Sequence, residues 1–335
     1  MIQHHPRAVA LTIMAVLLTG CAAPASTDRV SSAPRYSWSY VHTVLPPFWW
    51  FDLVDVPAAR AKAGTGAGST VAIVGTGVLK GHEDLPSMVA GESTCGSPPS
   101  DTDDYNGHGT QLAGIVAGRD PGHATRGVAP GAAVIPIKVD CGVVSAASLM
   151  KGVDAAIARK PDVILIAIGG YPSGPPDVFN ELRDRVTNNR GILFVIASAW
   201  DGTHYPFPDW TTTDNALLVA AMTLDADERD RTRVRRDKEI QYSARRGTIW
   251  APGRGVATAG IEKDPGSTNH SQFLMHGTSP AAAIVAGCAA LVKTKSKPGT
   301  GGAALKEALL RGAEPKSDLG PVPDNKRLNC AAAIP

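Results

Sequence analysis

Short apolar runs that do not alternate with polar residues constrain this chain more than any other feature. Val71–Val74, Ala133–Val139, Val163–Ile168, Ile192–Ala197 and Ala216–Ala221 are apolar nearly throughout. A strand with one face in water alternates apolar and polar side chains, so these runs predict strands covered on both faces, as in parallel sheets. Stretches with helical character lie among them, at Thr110–Ala117, Ala146–Arg159, Asp177–Asn188 and Pro280–Lys293. Strands alternating with helices predict an α/β fold, a three-layer sandwich around a central, mostly parallel sheet. A chain of 335 residues that is 43% hydrophobic can bury one large core. Aromatic residues make up only 5%, against 35 glycines, so helices and sheet are expected to pack closely through small side chains.

The N-terminal residues read as a signal rather than as part of the fold. Met1–Arg7 is a head able to carry positive charge, and Ala8–Leu18 is apolar apart from Thr12. That run is too short to span a bilayer and fits the apolar region of an export signal. It ends Leu18-Thr19-Gly20-Cys21, which resembles the lipobox of bacterial lipoproteins. Cys21 is then the lipidated N-terminus, held at a membrane by acyl chains at about 0.8 kcal/mol per buried CH₂. The alternative is a plain secretory signal with an incidental Cys21. Residues 1–20 are assigned to the signal, 21–47 to a linker and 48–335 to the folded domain. The expected location is the cell envelope, or the medium if Cys21 is not lipidated.

Export determines how the other cysteines are read. Cys95, Cys141, Cys288 and Cys330 are even in number, which in an oxidising compartment implies two disulfides with three possible pairings. None shows the paired short spacing of a zinc site, and no metal or other cofactor is assigned. The net charge of +2 gives no reason to invoke nucleic acid. Asp225–Arg246 interleaves Arg229, Arg231, Arg233, Arg235, Arg236 and Lys238 with acids and reads as a solvated loop, or as a site for an acidic partner.

Two segments carry chemistry. Asn106-Gly-His-Gly-Thr110 sets His108 between glycines that free the backbone for close approach, at the start of a helix of small residues. His276-Gly-Thr-Ser-Pro280 sets Ser279 just before a long small-residue helix. With Pro280 at the first helical position, Ser279 lies where backbone N–H groups favour developing negative charge. Alone, each is an ordinary helix start.

Together, Gly-His-Gly-Thr-x-x-Ala-Gly and Gly-Thr-Ser-x-Ala-Ala, some 170 residues apart in this order, resemble the His and Ser motifs of the subtilisin-like (subtilase) family. Ser69-Thr-Val-Ala-Ile-Val-Gly-Thr-Gly-Val78 is similar to the family's Asp strand, and His82-Glu-Asp-Leu85 to the segment after it. Arg126–Gly131, Val134–Lys138, Ile249–Gly253 and Arg327–Ile334 match further landmarks in sequence order. The resemblance runs over about residues 48–334. It implies a subtilisin-like fold and serine endopeptidase ancestry. It also implies the pairings Cys95–Cys141 and Cys288–Cys330. The family's calcium sites rest on loop carbonyls and leave no signature here.

The chain departs from the family's pattern at the catalytic positions. The triad aspartate, which holds the histidine's tautomer and stabilises the imidazolium, is Gly75. The asparagine that donates to the oxyanion is Trp200. The substrate-binding Ser-x-Gly reads Ala167-Ile168-Gly169, whose backbone can still pair with an extended peptide. In subtilisin, a family member distinct from this chain, loss of the aspartate costs about 3 × 10⁴ in turnover. Loss of the oxyanion side chain there costs about 10²–10³. Asp103 and Asp104, which precede His108, are expected in the loop leading to the histidine rather than beneath its ring.

The resemblance therefore implies an impaired protease that binds an extended peptide or protein partner in the old cleft, with His108 and Ser279 as remnants of the triad. The alternative is an active endopeptidase using a His108–Ser279 dyad. A third reading is an envelope module that binds through the Arg229–Lys238 loop.

Overall fold

The computed structural model describes residues 48–335 apart from 87, 97, 120–124, 169–176, 199–212, 227–233, 240–246, 262–271, 317–318 and 320–324. Cys21, the linker, Gly169 and Trp200 therefore lie outside the described residues, as do Arg229, Arg231 and Arg233.

The apolar runs form the predicted parallel strands. These are β1 (Thr70–Gly75), β3 (Ala133–Lys138), β4 (Val163–Ile166), β5 (Leu193–Ala197) and β6 (Ala216–Ala226); β8 (Ile249–Pro252), a further parallel strand, and the short β2 (Glu92–Ser93), beside β3, were not among the predicted runs. The helices are α1 (Trp49–Leu53), α2 (Val56–Ala63), α3 (His108–Ala117), α4 (Ala146–Ala158), α5 (Asp177–Asn188), α6 (Thr278–Lys295), α7 (Gly302–Gly312) and α8 (Cys330–Ala333). Short β11 (Glu314–Pro315) and β12 (Lys326–Arg327) complete one edge, giving the order β11-β12-β8-β6-β5-β4-β1-β3-β2.

Alternation along each strand sorts side chains to two faces. Val71, Ile73, Leu165, Val195 and Val219 pack in one cluster with Leu112 and Ile115 of α3 and Ile284 and Leu291 of α6. Ala72, Val74, Ile164, Ile166 and Phe194 pack in the other with Leu149 and Val153 of α4 and Phe179 and Leu182 of α5. The result is the expected three-layer sandwich. α6 is buried continuously from Pro280 to Val292, as a helix apolar on all sides must be.

Connectivity then places the site. The chain passes from β1 through α3 to its neighbour β3, then turns back across β1 through α4 to β4 and onward to β5 and β6. The direction of travel reverses at β1, and right-handed crossovers send the helices to opposite faces on either side of that reversal. A crevice opens at such a switch point, outside the carboxyl ends of the strands. Gly75 is the last residue of β1 and lies at that crevice.

Two expectations are corrected. The segment Asp225–Arg246 is not simply a loop. β6 runs on to Ala226, and β7 (Val234–Glu239) returns beside it, antiparallel, with Met222 opposite Glu239 and Asp225 opposite Arg236. β7 pairs only with β6 among the described residues, and an edge strand tolerates a density of charge that a central strand does not. The helix carrying Ser279 also begins earlier than expected. Gly277 precedes it at φ 111°, Thr278 is its first residue, and Pro280 is its third. The missing N–H of Pro280 still falls among the first four, which have no partner within the helix. The second strand pair, β9 (Arg254–Ala259) with β10 (Gln272–His276), is antiparallel and leads directly into this turn.

Both expected disulfides form, Cys95–Cys141 and Cys288–Cys330.

Candidate active site

Asp104 determines where α3 begins. Its carboxylate is 1% exposed and accepts the N–H groups of Asn106 (3.0 Å), Gly107 (2.9 Å) and Thr110 (2.9 Å), and the Thr110 hydroxyl at 2.7 Å. The Gly107 and Thr110 donors at the helix start are thereby satisfied from the preceding loop, and His108 becomes the first helical residue. Asp103 accepts the N–H of Lys80 at 2.9 Å. Both acids thus serve the loop before His108, and neither hydrogen-bonds its ring.

The histidine helix is pressed against the end of β1. Gly109 donates its N–H to Thr76 Oγ1 at 2.8 Å, and a Cβ at Gly109 would stand 2.0 Å from Gly77 O. Farther along, Thr258 Oγ1 of β9 donates to Gln111 O at 2.6 Å. His108 is half-buried, and its ring forms no hydrogen bond among the described residues. Burial pushes its pKa below the ordinary value, while Asp104 and Asp140 pull it part of the way back. The imidazole is therefore neutral near pH 7, the state a general base requires.

Gly75, the last residue of β1, has no side chain to offer that imidazole. Its backbone is tightly held: it stands opposite Lys138 in the β1–β3 ladder, and its carbonyl accepts Val139 N–H at 2.8 Å. Among the described residues, a Cβ built on it would meet nothing within 4 Å beyond its chain neighbours. The position has room for a side chain and a backbone that any residue can adopt.

Ser279 is half-buried in the first turn of α6, and its hydroxyl forms no hydrogen bond among the described residues. Two contacts fix the turn. Gly277 donates to Gly253 O at 2.7 Å, and Thr278 Oγ1 donates to Ser198 O at 2.5 Å, just past β5. The serine thus sits at a helix N-terminus whose free N–H groups suit a developing oxyanion. His276, at the end of β10, accepts the Gly255 N–H on Nδ1 at 3.3 Å. Burial, followed by the Arg254 guanidinium, holds its pKa down.

Ala167 and Ile168 directly follow β4 and are buried. No group of three or more His, Cys, Asp or Glu side chains suited to a metal ion occurs among the described residues, and no residue is assigned to calcium.

Sequence reading missed two residues at the site. Lys138 is only 7% exposed; its ammonium donates to Asp103 O at 2.8 Å and lies 4.2 Å from the centroid of the Tyr105 ring. Asp140, two residues on, has its N–H 3.4 Å from Gly75 O. Their adjacency to the landmark Val134–Lys138 was the available signal, but only the β1–β3 register brings them to Gly75.

The sequence profile of the subtilase family matches residues 66–328. Subtilisin Savinase of Lederbergia lenta is 34% identical over 253 residues, 74% of this chain and 84% of that protein. The alkaline protease of Alkalihalobacillus alcalophilus is also 34% identical over 253 residues, and there the match spans 60% of the relative's length. Among solved structures, that of MycP1 with the N-terminal propeptide removed superposes with a TM-score of 0.65 at 22% identity, covering 86% of this chain and 96% of the other, which speaks to the fold alone. The chain belongs to the subtilase family, peptidase S8, a family of serine endopeptidases.

Proposed function

We propose that this chain is an exported lipoprotein, anchored through Cys21, whose subtilase cleft binds an extended peptide or protein partner and hydrolyses peptide bonds far more weakly than an intact triad would. The observation that carries this reading is Gly75. His108 and Ser279 are present, yet no carboxylate among the described residues hydrogen-bonds the imidazole, and the position that would supply one has no side chain. A histidine without that partner is not held in the tautomer that accepts the serine proton, and its imidazolium is not stabilised when it forms. Trp200 in place of the oxyanion asparagine weakens the second contribution. Peptide binding does not need either group. Main-chain pairing along Ala167–Gly169 supplies it, as in other modes of strand addition.

The competing reading is a working His108–Ser279 dyad. It is favoured by the depressed pKa of His108, which leaves the base ready at neutral pH.

Fluorophosphonate labelling of the detergent-solubilised full chain separates the two, with Ser279→Ala as control. Slow labelling that rises in Gly75→Asp supports the impaired site. Fast labelling that Gly75→Asp leaves unchanged supports the dyad. The anchor is tested separately: Cys21→Ala is expected to move the protein from the membrane fraction to the soluble fraction. If the variant stays with the membrane, lipidation at Cys21 is not what holds it there.

A further inference from the structure

Strand parity puts Gly75 on the sheet face that carries α3, because Val71 and Ile73 pack there and Ala72 and Val74 pack on the other. Lys138 stands opposite Gly75 in register, and its side chain reaches the loop before His108. Asp140 follows two residues later, with its N–H 3.4 Å from Gly75 O.

The Asp140 carboxylate is fixed but not saturated. Oδ1 accepts the Gly142 N–H at 2.9 Å, and the neighbouring Cys141 is tied to Cys95. Oδ2 takes no hydrogen bond among the described residues. Burial is the main influence on the His108 imidazole, and Asp104 and Asp140 are the carboxylates that act against it. Of these two, Asp104 has both oxygens occupied by the start of α3. Only Asp140 has an oxygen to spare. The space beside Gly75, where a Cβ would meet no atom within 4 Å, lies at the same strand end.

We infer that Asp140 is a positioning residue for His108, its Oδ2 holding the imidazole Nδ1–H through one bridging water in the space that Gly75 leaves open. A water-mediated contact of this kind is enthalpically close to a direct hydrogen bond. It is less well directed, which agrees with a site that is weakened rather than dead. The inference rests on the proposed function only in taking His108 and Ser279 as the reactive pair. In the step affected, Ser279 Oγ attacks the carbonyl carbon or the phosphorus of a fluorophosphonate. Its proton passes to His108 Nε2, and with the probe the O–P bond forms as the P–F bond breaks and fluoride leaves. Asp140 stabilises the imidazolium so formed.

The test is the labelling rate of Ser279 across about pH 5 to 8 in the full chain and in Asp140→Asn, each with Gly75 and with Gly75→Asp. Asn can still accept the Gly142 N–H on Oδ1, so the loop is retained and only the charge is lost. With Gly75, Asp140→Asn is expected to slow labelling by about tenfold to a hundredfold, less than the full loss seen when a directly bonded aspartate is removed. With Gly75→Asp in place, the new carboxylate takes over and the same change is expected to stay within about twofold. An equal loss in both backgrounds would mark a merely structural role, and no loss in either would remove the proposal.

Titration of the His108 ring by NMR reads the same contact without turnover. Loss of Asp140 removes an influence that raises the imidazole pKa, so the midpoint is expected to move lower in Asp140→Asn. The charged groups surrounding that imidazole also include Asp104 and, on the same sheet face, Lys138; neither is altered in the variant. An unchanged midpoint overturns the inference even if the wild-type chain labels too slowly to measure. The proposed function stands or falls on a different result, the response of labelling to Gly75→Asp alone.

Discussion

The backbone N–H of Gly109 donates to the hydroxyl of Thr76 at 2.8 Å, so the residue after the histidine is fastened to the residue after Gly75. The start of the His108 helix is thereby tied to the end of β1 whether or not Gly75 carries a side chain. A methyl group at Gly109 would meet Gly77 O at 2.0 Å, and backbone cannot yield as a flexible side chain can. Gly109→Ala is expected to destabilise the fold by about 2 kcal/mol or more, measured by urea unfolding. Thr76→Val, which removes only the hydrogen bond, is expected to cost about 1 kcal/mol. If Gly109→Ala unfolds like the parent, the close packing of α3 on the end of β1 is wrong.

Gly75 presents the opposite case. Among the described residues nothing but its chain neighbours lies within 4 Å of its Cβ position, and its φ is not in the left-handed range. Gly75→Asp therefore meets no steric obstacle, but it sets a carboxylate at a buried position, and a cost of about 1–3 kcal/mol is expected in urea unfolding. The rate of Ser279 labelling is expected to rise at least about tenfold, a fraction of the loss that removal of the aspartate causes in subtilisin. A loss of more than about 4 kcal/mol would mean that the site has closed around the glycine.

His108 and His276 both have pKa values pushed below the ordinary one, in each case chiefly by burial. The unfolded chain therefore takes up these protons at a higher pH than the folded chain does. Stability from this source is complete above about pH 6.5 and declines as pH falls from there towards the depressed folded values, where the decline ends. Urea midpoints measured across that window are expected to fall with acid, and more gently in His276→Gln. A flat profile would mean that neither imidazole is desolvated. Glu314 acts in a lower range: burial raises its pKa, but Asn329, Arg327 and Lys316 together outweigh this and hold it down.

The two disulfides differ in access. Cys288 and Cys330 are fully buried in the core between α6 and α8, whereas Cys141 is exposed and Cys95 half-buried. Each joins residues more than forty apart, 46 and 42, which in the chain-entropy limit corresponds to about 4 kcal/mol. Under native conditions a mild reductant is expected to open Cys95–Cys141 first and to leave Cys288–Cys330 intact until the fold opens. Thiol trapping followed by mass spectrometry reads the order, and simultaneous opening would contradict the difference in burial.

Much of the fold was legible because its signals are local. Non-alternating runs such as Val71–Val74 and Val163–Ile168 report burial on both faces, and burial on both faces implies a parallel sheet between helices. The start of α6 was misplaced by two residues because Thr278 is secured by Ser198 O, a partner 80 residues away in the chain. The strand Val234–Glu239 was hidden by its charge, since a strand that pairs on one side only among the described residues need not look apolar.

At the site, the sequence by itself determined the family's motifs, the presence of His108 and Ser279, and the absence of a carboxylate at Gly75. These are matters of residue identity at positions fixed by short motifs. The tertiary structure alone decided that Asp104 is consumed in capping α3, that the Gly75 position has room for a side chain, and that Asp140 borders it. Those facts arise from the register of β1 against β3, which sets Gly75 opposite Lys138 across more than sixty residues of chain. Hydrogen bonds between strands so far apart leave no trace in local periodicity, so the relation of Asp140 to His108 appears only when the sheet is assembled.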